Sequence, residues 1–173
     1  KPGVTPHEYA VSIEPCYPGY GTTLGTALRR VLLSSLSGAA VVAFTLKGVA
    51  HEFSTLEGVK EDAIRIILAL KKLRFRMPVA EEVRVRIHKK GIGPVTGADI
   101  ETNAALEVVN PDQVIATLTV KDMDFDMELV IRSGRGYLAL DSRAQEEREI
   151  GKIFIDALFS PVINVGMHVE NIR

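Results

Sequence analysis

The sequence has one cysteine, Cys16, and no tryptophan. A single thiol can form neither an intrachain disulfide nor a cysteine-based zinc site. With 21 basic and 22 acidic residues the formal net charge is −1, which argues against a general basic surface for nucleic acid. No apolar run approaches the roughly 18 residues that span a bilayer, and no signal-peptide pattern is present. We therefore expect a globular, cytoplasmic protein without membrane contact.

Catalytic patterns are also missing. The four histidines are scattered, and His51-Glu52 lacks the second histidine of a zinc-protease motif. The acids of residues 122–128 alternate along a strand, which is typical of a solvated face and not of a magnesium cage. Only the glycine-punctuated turn of residues 19–25 could cradle a phosphate, and no lysine follows it at the P-loop position. We expect no catalytic, cofactor or metal residue here; a small nucleotide-binding enzyme built on this turn is the alternative.

An amphipathic helix follows that turn, with Thr22 or Thr23 as its N-cap and Gly38 placed to end it. At about 100° per residue its apolar residues cover more than one side of the helix. One broad stripe contains Leu24, Leu28, Val31, Leu32 and Leu36. Arg30 and Leu33 lie away from that stripe and are either solvent-exposed or placed for a partner. A monomer's surface helix normally has one apolar stripe, so this helix is predicted to be an assembly element.

The remaining periodicities predict a mixed fold. Alternation over residues 9–14 indicates a short strand, and residues 40–49 read as a buried strand. Ser54 and Glu57 have capping-box spacing before a second helix that ends near Lys71. The cations of residues 65–76 fit either a solvated helix end or a protein contact. Residues 114–120 form a further strand, and 150–159 could pack under the first helix; the charged stretch 141–149 between them is expected to be mobile.

Two strands carry opposite charges on one face. Residues 83–88 alternate apolar residues with cations, and residues 123–129 alternate apolar residues with acids. If these strands are neighbours, their charges form a ladder of cross-strand pairs.

A family resemblance rests on several blocks in a fixed order. The sequence is similar to the N-terminal region of the bacterial RNA polymerase alpha subunit. The blocks are Gly-Tyr-Gly-Thr-Thr-Leu-Gly-Thr-Ala-Leu-Arg-Arg-Val-Leu-Leu-Ser-Ser from residue 19, His-Glu-Phe-Ser-Thr from 51, Glu-Gly-Val-Lys-Glu-Asp from 57, Gly-Ile-Gly-Pro-Val-Thr from 91, Gly-Arg-Gly-Tyr from 134, Phe-Ser-Pro-Val from 159 and Val-Glu-Asn from 169.

The resemblance implies an α+β fold with a discontinuous dimerisation domain, residues 1–37 and 143–173, and an inserted β-rich domain carrying one helix, residues 38–142. It implies a non-catalytic assembly subunit of a DNA-directed RNA polymerase, whose enzyme activity belongs to the complex. The dimer would form through the stripe of the first helix. Arg30 and Leu33 would contact the beta subunit, and Lys71 the beta-prime subunit. The loop punctuated by Gly134 and Gly136 is expected to hold Tyr137 and Leu138 against a partner, with Leu138 contacting beta-prime; RNA binding is the alternative.

The resemblance also sets expectations about cofactors and extent. Magnesium and zinc are expected only in partner subunits. In the family a long dimerisation helix, a linker and a DNA-binding domain follow the Val-Glu-Asn block, whereas this sequence ends at Arg173. We therefore expect weakened or lost dimerisation and no direct DNA contact. An archaeal or eukaryotic-type dimerisation subunit and a plastid subunit are the related alternatives.

Overall fold

A computed structural model describes residues 7–78, 81–140 and 151–170. These residues form helices and antiparallel strands, which confirms the predicted α+β class. The helices are α1 (Tyr20–Ser34) and α2 (Ala63–Leu70), and the strands are β1 (Ser37–Leu46), β2 (Phe75–Arg76), β3 (Glu82–Lys90), β4 (Gly93–Thr96), β5 (Glu107–Val108), β6 (Val114–Leu118), β7 (Asp124–Arg135), β8 (Tyr137–Leu138), β9 (Lys152–Phe154) and β10 (Ala157–Leu158), with a 3-10 turn at Gly97–Asp99.

Strand β1 is the centre of the main sheet, whose order is β3-β7-β1-β2-β5, with β9 also paired to β1. Strand β7 follows β1 along one edge, from Ser37 opposite Arg135 to Leu46 opposite Met127. Strands β2 and β9 share the other edge. The aliphatic and β-branched run of this region suits a strand covered on both faces, so the predicted buried strand is confirmed, with bounds of 37–46.

The larger apolar cluster draws on one face of the main sheet, on α2 and on the β4–β6 pair. Helix α2 contributes Ala63, Ile66 and Leu70, whose spacing places them on one side of the helix. Since a fully buried aliphatic side chain contributes about 1.5–3 kcal/mol, this face fixes α2 on the sheet. A smaller cluster of β1, β7 and β10 residues lies apart, with Phe159 among its members.

Strands β3 and β7 are neighbours, from Glu82 opposite Arg132 to Lys90 opposite Asp124, which confirms the predicted charge ladder. Their apolar residues point to the core and their charged residues to solvent. The ion pairs join Arg84 to Glu128 (3.7 Å), Arg86 to Asp126, His88 to Asp124 (2.8 Å) and Arg132 to Glu82 (2.9 Å).

Three predictions about the start of the chain are wrong. Residues 9–14 form no strand: Tyr9 makes one isolated bridge and all six residues are exposed, so their alternation has no buried face to specify pairing. Helix α1 begins at Tyr20, with Gly19 and not a threonine at its N-cap. Gly19 has φ of 85°, a left-handed conformation that glycine adopts without steric cost. Gly38 does not end α1; it lies in β1, and α1 ends at Ser34.

Helix α2 also begins later than the capping-box spacing predicted. Its N-cap is Asp62, whose carboxylate accepts the Arg65 amide at 2.8 Å. Ser54 instead bonds to His51 within the preceding loop. The predicted end near Lys71 is confirmed, because Lys71 is the C-cap.

The proposed domain boundaries stay a prediction. Strand β9, from the segment assigned to the dimerisation domain, pairs with β1, from the segment assigned to the insert. The stretch 141–149 lies outside the described residues. Neither helix of the described part of the chain is long and apolar enough to cross a membrane.

Candidate interaction surfaces

Helix α1 has fifteen residues and none of them is buried. On its outward side, Leu24, Leu28 and Val31 are 38%, 44% and 49% exposed. Tyr20 extends the same side toward the N-terminus and is also exposed. An exposed apolar strip of this length indicates a surface that a partner covers.

The chain's own C-terminal segment covers a different side of α1. A Cβ added at Gly21 would lie 2.9 Å from a methyl of Val169, and one at Gly25 would lie 2.7 Å from the Met167 sulfur. Further along, Ser160 donates a hydrogen bond from Oγ to the Leu32 carbonyl (3.1 Å). Gly21 and Gly25 of α1 therefore allow Val169 and Met167 to approach the helix closely.

The predicted dimer stripe is thus divided into two parts. Leu24, Leu28 and Val31 point outward, whereas Leu32 and Leu36 are half-buried within the chain. The structure tests none of their roles in dimerisation, which stay predictions. Sequence spacing could not separate the two groups, because the division is made by residues more than a hundred positions away.

Arg30 and Leu33 are neighbours on α1, since side chains three residues apart lie on the same side of a helix. Arg30 is exposed and forms no ion pair with another described residue, while Leu33 is half-buried. The Arg30 carbonyl accepts a hydrogen bond from Ser34 Oγ at 2.6 Å. The guanidinium is therefore available for a partner's carboxylate, and its role in beta contact stays a prediction.

Lys71 and Leu138, distant in sequence, are brought to one place by β10 and the residue before it. Leu138 pairs with Ala157 of β10. Lys71 donates from Nζ to the Asp156 carboxylate, and the Tyr137 hydroxyl donates to its other oxygen at 3.1 Å. We call Lys71, Tyr137, Leu138, Asp156 and Leu158 the platform. Residues 156 and 158 were not identified from the sequence; the one available signal is the lone acid at 156 within an apolar run.

Asp156 is ionised at neutral pH because of the groups that surround its carboxylate. Its partial burial raises the pKa, but the hydrogen bonds from Lys71 and Tyr137 and the Lys71 charge outweigh burial, so the pKa lies below its usual range. Asp156 thereby holds two side chains from different elements in fixed positions. A lysine held this way loses less side-chain entropy when a partner binds.

A cleft of about 180 Å³ opens beside the platform. Apolar side chains dominate its lining and the Lys71–Asp156 pair lies at its side; the lining residues are Ala40, Val41, Leu70, Lys71, Leu73, Asp156, Ala157 and Leu158. This volume suits one apolar side chain of a partner better than a cofactor, since ligand pockets usually measure about 300–1,000 Å³.

Across residues 7–78, 81–140 and 151–170, no group of three or more histidine, cysteine, aspartate or glutamate residues could hold a metal ion. The acids of β7 are engaged by cations, so the pKa values of Asp126 and Asp124 are lowered, mainly by hydrogen bonds from Arg86 and His88 respectively. The first backbone amide of α1 already has a partner: the Tyr20 N–H donates to the Tyr17 carbonyl at 3.0 Å.

Residues 42–160 match the family described as RNA polymerase Rpb3/RpoA insert domain. The chain belongs to this family. It is 48% identical over 161 residues to the DNA-directed RNA polymerase subunit alpha of Roseiflexus sp. (strain RS-1), covering 93% of the chain and 49% of that relative. It is 46% identical over 162 residues to the subunit of the same name from Aquifex aeolicus (strain VF5), covering 93% and 51%.

A third relative, the subunit alpha of Alkaliphilus oremlandii (strain OhILAs), is 49% identical over 162 residues, covering 94% of the chain and 51% of the relative. The chain therefore spans about half the length of the curated relatives that it matches. These matches confirm the resemblance that the ordered sequence blocks indicated.

Proposed function

We propose that the chain is a non-catalytic assembly subunit of a bacterial DNA-directed RNA polymerase, a cytoplasmic nucleotidyltransferase complex that carries out transcription. It dimerises through the outward side of α1, binds beta through Arg30 and Leu33, and binds beta-prime through Lys71 and Leu138. The single observation that carries the proposal is the fifteen-residue helix without a buried residue, in a chain of this family.

The platform supports a second docking site on the same chain. Its Lys71 is oriented by Asp156 and stands beside an apolar cleft, with the exposed Leu158 and Tyr137 next to it. Large partly exposed apolar side chains around an oriented cation match the composition of interface centres. Because α1 and the platform are separate surfaces, a dimer offers each of them twice to two different partners.

Phosphodiester chemistry is assigned to the partner subunits. Magnesium-dependent nucleotidyl transfer uses carboxylates that converge on a metal, whereas the acids of β7 alternate along an exposed face and bond to cations. We therefore assign magnesium and zinc to the partners, and DNA contact to parts of the complex other than these residues.

Sedimentation of the chain over a concentration series, with and without purified beta subunit, tests the proposal. We expect self-association at high concentration and a heavier species with beta. A chain that stays monomeric at every concentration and does not bind beta would overturn the proposal. In parallel, ATP or GTP should leave the melting temperature unchanged; a clear rise would favour a nucleotide-binding protein built on the turn of residues 19–25.

Arg30→Ala tests the beta contact directly. Because Arg30 is exposed and makes no ion pair among the described residues, the fold should remain intact. Binding of beta should weaken by about 2 kcal/mol or more, as for an interface arginine at a hot spot. The measurement is titration with purified beta, and Arg29→Ala is the matched control on the neighbouring side of α1. Equal affinity of Arg30→Ala and wild type would remove Arg30 from the contact.

A further inference from the structure

The outward side of α2 carries features that the core does not explain. Ile64 and Leu68 are 42% and 54% exposed, although α2 already buries three residues on its other side. Isolated exposed apolar residues are ordinary. These two lie one turn apart on the same side of the helix and so form a continuous apolar strip.

Cations surround Leu68. Arg65 lies three residues before Leu68 on α2 and is its neighbour on the helix surface. Lys71, the C-cap, and Lys72 follow at the end of the helix, three and four residues after Leu68. Arg65 and Lys72 are exposed, and their side chains form no ion pair with another residue of the described ranges. An apolar centre with a charged rim is the arrangement expected of a binding surface.

The position of Arg65 is not explained by helix stability. It lies in the first turn of α2, which contains no acid. The helix dipole favours negative charge in the first turn and positive charge in the last. Lys71 and Lys72 therefore suit the helix end, whereas the Arg65 charge opposes the dipole. The nearby N-cap acid Asp62 accepts the Arg65 backbone amide, and among the described residues it forms no ion pair with the Arg65 guanidinium.

The strip is continuous with the platform through Lys71. Lys71 lines the apolar cleft with Leu70 and Leu73, and it is also the cation next to Leu68 on the outward side of α2. A partner that contacts Lys71 from solvent would therefore reach both the cleft and the strip.

We propose that the strip is part of the beta-prime docking surface and that the segment it accepts is acidic. Apolar side chains of that segment pack on Ile64 and Leu68, and its carboxylates lie opposite Arg65 and Lys72. The Lys71 charge is already matched by Asp156, so Arg65 and Lys72, which form no ion pair among the described residues, are the cations that select acidic residues. This inference rests on the proposed function of Lys71.

The test measures binding of purified beta-prime to the immobilised chain in the presence of beta. Arg65→Glu is the most informative variant, because an acid in the first turn is favoured by the dipole and weaker binding could not be attributed to loss of the helix. We expect Arg65→Glu and Lys72→Glu each to raise the Kd about tenfold at about 0.1 M salt, with a smaller effect at higher salt. Leu68→Ser should weaken binding at both salt concentrations.

Lys121→Glu makes the same change of charge at an exposed lysine with no ion pair among the described residues, and should bind like wild type. Unchanged or tighter binding by Arg65→Glu and Lys72→Glu, together with weaker binding by Lys71→Met, would overturn the acidic segment and leave the Lys71 contact standing. If Lys71→Met also binds like wild type, or wild type does not bind at all, the proposed beta-prime site is wrong and the inference falls with it.

Discussion

The two helices are both amphipathic but differ in what covers their apolar sides. Helix α2 has eight residues and buries Ala63, Ile66 and Leu70 against the sheet. Helix α1 has fifteen residues and buries none. The shorter helix is therefore an element of the core, while the longer one presents its apolar side to solvent. Length and amphipathicity indicate that a helix forms, and they do not indicate whether its partner lies in the same chain.

The largest expected effect comes from truncating a buried side chain of α2. Ile66 is 1% exposed, and Ile66→Ala should lower the free energy of unfolding by about 2–5 kcal/mol, through lost burial and the cavity left behind. Ile64→Ala is the matched control on the exposed side and should cost less than about 1 kcal/mol. Urea unfolding monitored by circular dichroism measures both. Similar losses for the two variants would contradict the assignment of the two sides.

The corresponding change in α1 should act on association and not on folding. Leu28→Ser removes an exposed leucine, so unfolding of the dilute chain should change by no more than about 0.5 kcal/mol. Dimerisation should weaken by about 2 kcal/mol, since each copy loses one buried leucine at the interface. Sedimentation equilibrium measures the dimer dissociation constant. An unchanged dimer constant would exclude the outward side of α1 as the dimer surface.

A smaller effect is expected at the platform, where α2 is joined to β10. Asp156→Ala should cost about 1 kcal/mol of unfolding free energy, because two hydrogen bonds are lost at a partly solvated site. Because the pKa of Asp156 is lowered in the folded state, its contribution is present above the ordinary carboxyl pKa of about 3.9. It is lost as pH falls through the folded value. Asp156→Asn should therefore show a shallower loss of stability in acid than wild type; identical acid profiles would contradict this account.

The smallest effect is expected from the exposed ladder of β3 and β7. The pKa of Asp126 is lowered, chiefly by its hydrogen bond from Arg86, so the ladder stabilises the fold above about pH 4 and loses that contribution below it. The urea midpoint should be level between neutral and mildly acidic pH and fall in stronger acid. Salt should reduce the ladder's contribution, since the pairs are exposed. Asp126→Asn should make the fall of the urea midpoint in acid slightly shallower. An unchanged fall would show that the Arg86–Asp126 pair does not contribute to stability.

Periodicity predicted most of the elements that bury one face. The alternation in β3 and β7 indicated both strands and which residues would face solvent, because a strand turns successive side chains to opposite sides. Helical spacing in the same way predicted Ala63, Ile66 and Leu70 on the buried side of α2, whereas Val59 and Ile67, predicted there too, are half-buried. The helix starts were less predictable: two possible N-caps at residues 22 and 23 were overridden by Gly19, and Asp62 replaced Ser54.

The candidate surfaces were also predicted only in part. Helix α1 and its apolar excess were visible in the sequence, and the resemblance singled out Arg30 and Lys71. Asp156 could not be identified as the group that orients Lys71, because that contact joins residues far apart in the chain. The strip on α2 was also missed, since two apolar residues beside a predicted buried face do not by themselves indicate a second contact surface.

By itself the sequence determined the family, the α+β class, the charge alternation of two neighbouring strands and the presence of a helix with more apolar surface than one core requires. Only the tertiary structure decided which part of that surface remains free and where Lys71 and Leu138 meet. The physical reason is that periodicity records which side of an element is apolar, a local property. What covers that side is set by contacts such as Gly25 with Met167, which form only when distant parts of the chain come together.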